Sequence, residues 1–304
     1  MSKAAAYSNE RVIETPLCDA IHGHVRWSAV KSIWFMSMTS GWIIGGSLYV
    51  SLEAVAVFFL LSAIILCLGH SLGMHRKLIH ESFECPKPVE YLGVWLGTLV
   101  GLGGPFTMTY THDMRDWAQR QSECHPFLSH QNSMLKDFWW QIHYKLHLKN
   151  VPDFNYPRTL TDNKFYRILQ ATSMMQQLPL AILLYLWGGW GFVFWGICGR
   201  VSVSIFGHWL VGYFAHNKGH RSWHVNDAAV QGHNVRFCGL ITFGECWHNN
   251  HHAFPGSAKL GLERGQVDPG WWVLKTLERC GLVKNIRLPK HLPLRSEVRP
   301  NTSL

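Results

Sequence analysis

The chain has 304 residues, of which 47% are hydrophobic and 15% are charged, whereas charged residues supply about a quarter of an ordinary soluble domain. It contains 19 histidines, and its net charge is +9. The frequent aromatic residues exclude a disordered chain, and the lack of G-X-Y and heptad repeats excludes collagen and a coiled coil.

Eight cysteines are scattered along the chain without a CxxC motif. We therefore expect reduced, structural thiols rather than a disulfide framework or a zinc ribbon. The first 20 residues contain no apolar run, so a cleavable signal peptide is not expected.

Four apolar segments each approach the length of about 20 residues that crosses a membrane as a helix. They cover residues 28–48, 54–72, 169–187 and 190–214. The links within each pair, at 49–53 and 188–189, lack Lys and Arg, and positive residues remain on the cytoplasmic side of membrane proteins. The sequence thus predicts an all-α integral membrane protein with four spans in two hairpins and both termini in the cytoplasm.

The rest of the chain is expected to form a cytoplasmic helical cap on this single membrane domain. A fifth apolar stretch, 91–110, is rich in Gly and contains Pro105, which favours a buried or interfacial segment. Arg200 lies inside the fourth span and should pair there with a carboxylate or with backbone carbonyls. The cap is assigned to residues 73–168 and 215–290, followed by a loose tail over 291–304.

Two histidine motifs indicate metal binding. His75 and His80 are five residues apart in HRKLIH, a rotation of about 140° on an ideal α-helix. Without local unwinding they cannot share a face, so they suit two different metals or a helix terminus. His248, His251 and His252 in WHNNHH are three and four residues apart and should converge on one face. Neutral imidazole suits iron, zinc and copper.

These motifs resemble the histidine boxes of the membrane fatty acyl desaturases of the acyl-CoA and acyl-lipid Δ9 type, over about residues 60–290. HRKLIHESFE resembles the first box, and GLGGPFTMTYTH leads to His112 as the GGP segment of the family leads to the second box. GECWHNNHHAFP is similar to the third box. His216, followed by KGHRSW, resembles an additional ligand after the last span.

The resemblance implies four spans, an acyl tunnel and a cytoplasmic iron site with O2 as co-substrate. Two iron ions are expected, the second with an uncertain ligand set. No catalytic residue is expected besides the metal ligands. The candidate ligands are His75, His80, His112, Asp116, His216, His248, His251 and His252.

The resemblance also implies its partners: a membrane lipid or an acyl-CoA or acyl-carrier substrate, and a ferredoxin- or cytochrome-type electron donor. A separate donor is expected because the chain has neither an iron–sulfur cysteine cluster nor a CxxCH haem motif. The basic residues are explained by membrane orientation, so nucleic acid is not an expected partner.

The second box departs from the HxxHH pattern of the family, since it reads HDMRD from His112 to Asp116. Arg115 removes one ligand and places a cation on the same face. Asp116, four residues after His112, either ligates iron through its carboxylate or simply pairs with another charge. A mixed histidine–carboxylate site, recruitment of His125 and binding of a single metal are all open.

The reaction itself is also left open by the sequence. Gly212 stands where family members have Asn, and Cys246 where they commonly have Gly. Formation of a double bond in an acyl chain is the leading hypothesis, with a lipid hydroxylase or other C–H oxidase as an alternative. A catalytically silent lipid- or metal-binding relative is a further one. A transporter is disfavoured because the histidines lie outside the spans, on one side.

Overall fold

A computed structural model describes residues 11–301 and is mostly helical. The expectation of an all-α protein is wrong in one respect, because three antiparallel strand pairs join distant segments: β1–β4, β2–β3 and β5–β6. These strands are β1 (Val12–Ile13), β2 (Asp19–Trp27), β3 (Tyr144–Asn150), β4 (Asp153–Phe154), β5 (Trp223–Val225) and β6 (Val298–Pro300).

Twelve α-helices and two π-helical segments make up most of the region 11–301. The π-helical segments are Ile65–Ile79 and Phe194–Gly199, and a short 3₁₀ turn covers Pro289–His291. The α-helices are α1 (Ala29–Leu48), α2 (Leu52–Ile64), α3 (Lys87–Thr98), α4 (Pro105–Arg120), α5 (Pro126–Ser129), α6 (Met134–His143), α7 (Arg158–Thr161), α8 (Lys164–Ala171), α9 (Gln177–Val193), α10 (Arg200–Asn217), α11 (His248–Ala253) and α12 (Pro269–Arg279).

The first hairpin is set by serine caps at the start of its two helices. The Ser28 hydroxyl accepts a hydrogen bond from the backbone of Lys31, and the Ser51 hydroxyl accepts one from Ala54. Such caps satisfy amide groups that have no partner within the helix. After α2 the helix continues without a break into the π-helical segment and ends at Ile79, beyond the predicted end of the span at residue 72.

The second hairpin turns at two glycines. Gly189 has φ +67 and Gly188 is also non-helical, so the stretch Gln177–Asn217 folds back on itself. The guanidinium of Arg200 donates to the Gln177 side chain at 2.5 Å, although a straight helix would separate them by about 35 Å. The predicted start of this third span at residue 169 is wrong, because α8 ends at Ala171 and α9 begins six residues later.

Arg200, the first residue of α10, is fully buried. Its guanidinium donates to the backbone carbonyls of Leu99 at 2.5 Å and Gly196 at 2.8 Å, besides Gln177. Of the two predicted partners, a carboxylate or backbone carbonyls, the structure shows carbonyls. The Arg200 side chain also connects the second hairpin to the end of α3.

Within residues 11–301, two helical stretches are long and apolar enough to cross a membrane by length and composition. They are Leu52–Ile79, with a mean hydropathy of 2.5, and Gln177–Asn217, with a mean hydropathy of 1.7. Helix α1 is less apolar than these two stretches, since it contains Lys31 and several Ser and Gly residues. The stretch predicted at 91–110 forms parts of α3 and α4, which have 12 and 16 residues and are too short to span a bilayer.

Backbone-to-backbone packing holds α3 against the π-helical segment. A Cβ atom added at Gly73 would lie 2.3 Å from the backbone of Gly93, and one at Gly69 would lie 2.4 Å from that of Leu96. Only glycine permits this approach. The packing fixes the segment that carries His75.

The C-terminal region returns to the interior of the cap. Strand β6 pairs with β5, and the Arg295 side chain donates to the backbone carbonyls of His252 and Ala253 at 2.9 and 2.8 Å. The prediction of a loose tail is therefore wrong for residues 291–301. Residues 302–304 of that tail, and residues 1–10 of the predicted signal-free N-terminus, lie outside the described region.

Gly73→Ala should destabilise the protein by about 1–3 kcal/mol, because the added methyl group meets backbone that no side-chain rotation can move. The measurement is thermal unfolding of the purified protein in detergent. Gly207→Ala is the matched control, since nothing lies within 4 Å of its added Cβ and alanine favours a helix. Equal melting temperatures for the two variants would contradict the packing described here.

Candidate metal centre

Seven of the predicted ligands lie in two adjacent groups. The first contains one nitrogen each from His75, His80, His112 and His251, all within 4.8 Å of one another. The Nε2 atoms of His80 and His112 are 3.2 Å apart. The ring centroids of His75 and His251 are 4.6 Å apart.

The π-helical geometry explains how His75 and His80 meet. The backbone amide of His80 donates to the carbonyl of His75 at 3.1 Å, which is the i→i+5 bond of a π-helix. This bond brings residues five apart onto one face, and the two ring centroids lie 4.8 Å apart. The local unwinding required by the spacing is present, and His80 is the C-cap of the segment. Of the two predicted alternatives the structure therefore matches the helix terminus, with both histidines in one group.

The second group contains His216, His248 and His252. The Nε2 atom of His248 lies 3.1 Å from that of His216 and 3.0 Å from that of His252. The three histidines of WHNNHH converge on one face of α11, as predicted, with ring centroids 4.5–6.1 Å apart, but His251 belongs to the first group. On α11, residues 248 and 252 are nearly aligned, whereas residue 251 is rotated to one side of both.

A partner on the far side of the ring orients two of these imidazoles. Nδ1 of His75 lies 2.7 Å from a carboxylate oxygen of Glu245, whose other oxygen accepts from Ser71 Oγ at 2.5 Å. Nδ1 of His216 lies 2.6 Å from the carbonyl oxygen of Gly212. In each case Nε2 is left to face the group, as in metal sites where a second partner fixes the ligand ring.

The electrostatics of this region favour neutral imidazoles beside an ionised carboxylate. Burial lowers the pKa of His248 and His251 well below the usual value, and that of His252 to about 3. Burial opposes ionisation of Glu245, but His75 and Arg76 hold its pKa below the usual range. Neutral imidazole is the form that binds a metal.

The donor set fits a metal cation. In each group, Nε2 atoms of neighbouring rings approach one another to 3.0–3.2 Å, close enough for one cation to contact both. A cation between such nitrogens satisfies them together, and an all-imidazole set suits iron, zinc or copper.

The structure does not bring Asp116 into either group. Its carboxylate accepts a hydrogen bond from Arg120 Nε at 3.1 Å. Burial opposes ionisation, but Arg120 and His112 keep the pKa of Asp116 low. Ligation by Asp116 stays a prediction. His125 also lies outside both groups, since its Nδ1 accepts from the backbone of Phe127 at the start of α5.

Arg115, which occupies a ligand position of the second box, belongs to a buried polar chain. Its guanidinium donates to His130 Nε2 at 2.9 Å, and His130 Nδ1 donates to Asp137 at 2.9 Å. Trp209 Nε1 donates to the same oxygen of Asp137. The His130 ring stacks on His216, with centroids 5.2 Å apart and planes within 12°, so this chain supports the second group from behind.

Sequence reasoning gave no role to His130 or Glu245. Glu245 was detectable because it stands three residues before His248 in the same motif. No sequence motif marks His130, because its position beside His216 depends on contacts between distant segments. Gly212 makes that place possible: a Cβ there would lie 3.3 Å from His130 Nε2. Cys246 is buried against Trp247 and Leu260, away from both groups.

All eight cysteines are unpaired thiols, as the lack of a CxxC motif predicted. None of them belongs to either histidine group of the described residues, and their structural use stays a prediction.

Comparison with known proteins gives consistent matches. The sequence profile of the fatty acid desaturase family matches residues 52–262. The chain is 37% identical to an sn-1 stearoyl-lipid 9-desaturase of Synechocystis sp., over 79% of this chain and 74% of that protein. It is 36% identical to the enzyme of that name from Anabaena variabilis, over 78% and 85%. It is 33% identical to an acyl-CoA C20 Delta5-desaturase of Anemone leveillei, over 78% and 74%.

Glu245→Gln should weaken metal binding about 10- to 100-fold, because the neutral amide no longer stabilises the orientation of His75 as a carboxylate does. Metal titration of the purified protein measures the change. Glu84→Gln is the control, since Glu84 is an exposed partner of Lys284 and should leave the affinity unchanged. Wild-type affinity in Glu245→Gln would refute the orienting role.

Proposed function

Because the chain belongs to the fatty acid desaturase family, we propose that its two histidine groups hold two iron ions beside a bound acyl chain. The protein is a membrane-bound fatty acyl desaturase, an oxidoreductase of lipid metabolism. The observation that carries the iron proposal is the convergence of seven histidines from four separate segments into two adjacent groups.

The proposed ligands divide by group. Four imidazoles serve the first iron and three serve the second: His75, His80, His112 and His251, then His216, His248 and His252. The close approach of their Nε2 atoms supports this assignment. The ion pair of Asp116 with Arg120 supports a charge-balancing role, so we propose Asp116 as a neighbour of the second iron rather than as one of its ligands.

Bound metal and the residues of the chain contribute different parts of the chemistry. Bound iron supplies the activation of O2 needed to remove hydrogen from an unactivated C–H bond. In the net reaction one O2, two electrons and two protons are consumed, two hydrogens leave adjacent carbons, and two waters form with the double bond. Glu245 and the carbonyl oxygen of Gly212 hold two of the ligand rings.

For the membrane topology we propose four spans in two hairpins, with both termini and the histidine groups in the cytoplasm. The outward faces of α1, α2 and α9 support it, because they expose large apolar side chains to an extent unusual in a soluble protein. Ile44 is 64% exposed, Phe59 65% and Leu186 76%. The turns at 49–51 and 188–189 lack Lys and Arg, in keeping with the positive-inside rule.

For substrate and electron source we propose an acyl chain carried by a membrane lipid or by coenzyme A, and a separate donor. Relatives named for lipid-linked and for CoA-linked acyl chains match over similar lengths. A ferredoxin- or cytochrome-type donor is proposed because the reaction needs two external electrons. The Lys and Arg residues of the cap favour an acidic donor.

Iron content tests the ligand assignment. His252→Ala and His251→Ala should each lower the iron content from two per chain to one, because they belong to different groups. The metal is counted in purified protein after anaerobic reconstitution. His125→Ala, in a ring outside both groups, should retain both ions. Loss of both ions in either single variant would contradict two separable sites.

Asp116→Ala distinguishes the two roles considered for this carboxylate. We expect both iron ions to be retained, because the proposed sites are completed by histidine nitrogens. The measurement is again iron per chain after anaerobic reconstitution. Loss of one ion would establish Asp116 as a ligand and overturn its proposed role as a neighbour.

Lipid profiling by mass spectrometry tests the reaction. A host that expresses the protein should gain acyl chains with one additional double bond, and a host that expresses His252→Ala should not. A new hydroxyl group would favour the hydroxylase alternative. Unchanged lipids from protein that carries iron and receives electrons would support the catalytically silent alternative.

A further inference from the structure

Two histidines inside the helical bundle take no part in either metal group. His70 lies on the π-helical segment and His208 on α10, and their rings meet edge to face with centroids 5.2 Å apart. His70, His75 and His80 recur every five residues, the spacing of the hydrogen bonds in a π-helix. His70 therefore lies one turn before His75 on the side of the histidine groups that faces the membrane interior.

His208 has the corresponding position on the other helix. It precedes His216 by eight residues, about 12 Å along the axis of α10. Its ring meets His70, whereas the exposed Phe206 points to the opposite side of the helix. His208 is itself exposed although it faces the bundle. The exposure of the His208 ring beside His70 therefore indicates an opening next to the pair, about 12 Å along the axis of α10 from His216.

Neither ring has a hydrogen-bond partner within residues 11–301, and Nδ1 of His70 is buried without one. Arg200 shows the contrast, because three carbonyl oxygens satisfy its guanidinium in the same bundle. Polar side chains inside a membrane bundle are costly when they lack partners, and such residues commonly mark a functional site. The open side of the pair therefore requires a polar occupant.

We propose that His70 and His208 bind a hydroxyl group carried by the substrate chain, so that the preferred substrate is a hydroxylated acyl chain. The proposal rests on the proposed desaturase function. Each neutral imidazole offers one donor and one acceptor, and a hydroxyl group matches both. An unsubstituted hydrocarbon chain would occupy the same opening but leave these nitrogens unpaired.

The pair does not form a third metal site in the described part of the chain, because no third imidazole, thiolate or carboxylate joins it within the distance that unites the other groups. The edge-to-face ring contact also differs from the close Nε2 contacts of those groups. A substrate hydroxyl can be told from ordered water by experiment, since only the former produces discrimination between acyl chains.

The test is a binding measurement that does not depend on turnover. Full-length, metal-loaded protein in lipid nanodiscs is titrated with stearoyl chains carrying one hydroxyl at successive carbons, and with the unsubstituted chain. Each chain is presented both as a phospholipid and as a CoA thioester. At one hydroxyl position or more, the wild type should bind about tenfold more tightly or better, because a site built for a hydroxyl rejects the analogue that lacks it.

Two variants assign that preference to the pair. His70→Leu and His208→Leu should each abolish it, whereas His208→Gln, which keeps a donor and an acceptor, should retain part of it. His24→Leu is the matched control, because His24 and His147 form an exposed ring pair with centroids 5.3 Å apart on β2 and β3. That variant should keep the full preference. Melting temperatures verify that each variant is folded.

The proposal is overturned if the wild type shows no preference at any hydroxyl position, a result that needs no variant. It is also overturned if the preference survives in both leucine variants, because the hydroxyl would then bind elsewhere. Failure of the desaturase function looks different: iron-loaded protein supplied with electrons would form no double bond in any chain, whatever the binding preference.

Discussion

The hydrogen-bonding pattern of Ile65–Ile79 is the constraint on which the rest of the site depends. An α-helix would direct His75 and His80 to different sides, whereas the i→i+5 pattern places both in one group. The same repeat carries His70 below them, into the bundle. Because Gly69 and Gly73 let α3 approach to backbone contact, this unusual helix is held in place by close packing along its length.

Buried ion pairs connect this helix to the third histidine motif. Arg76 is almost fully buried and pairs with Asp268 at 2.9 Å, and it also donates to the backbone carbonyls of Phe243 and Ala258. Glu245 contacts His75 from the loop that leads into α11. Removing one member of a buried pair leaves an uncompensated charge. These pairs therefore hold the π-helical segment and the loop before α11 in a fixed relative position.

The altered residue of the second box, Arg115, makes contacts of its own and does not leave an empty position. Arg115 replaces an imidazole, and its charge is directed away from the metal groups into the chain formed by His130, Asp137 and Trp209. Gly212 leaves room for His130 beside His216. The two departures from the family pattern therefore fit each other, and the second group keeps three imidazoles with a stacked ring behind one of them.

Local sequence patterns predicted much of the structure of this protein. Apolar length predicted the long apolar helices, and the resemblance of its motifs to the histidine boxes identified the seven histidines that meet in two groups. These patterns could not show which histidines share a group. The grouping depends on a π-helical segment, and such a segment forms only where packing supports it. Nor could they predict the strand pairs or the return of residues 291–301, which depend on contacts between distant segments.

The sequence by itself thus determined the family, through its motifs, and the mostly helical architecture, through its hydropathy, because both are local properties of the chain. Only the tertiary structure decided the division of ligands between two groups, the pairing of Arg115 with His130 and the meeting of His70 with His208. The two pairings join residues that are 15 or more positions apart, and their distances are set by how the helices pack rather than by spacing along the chain.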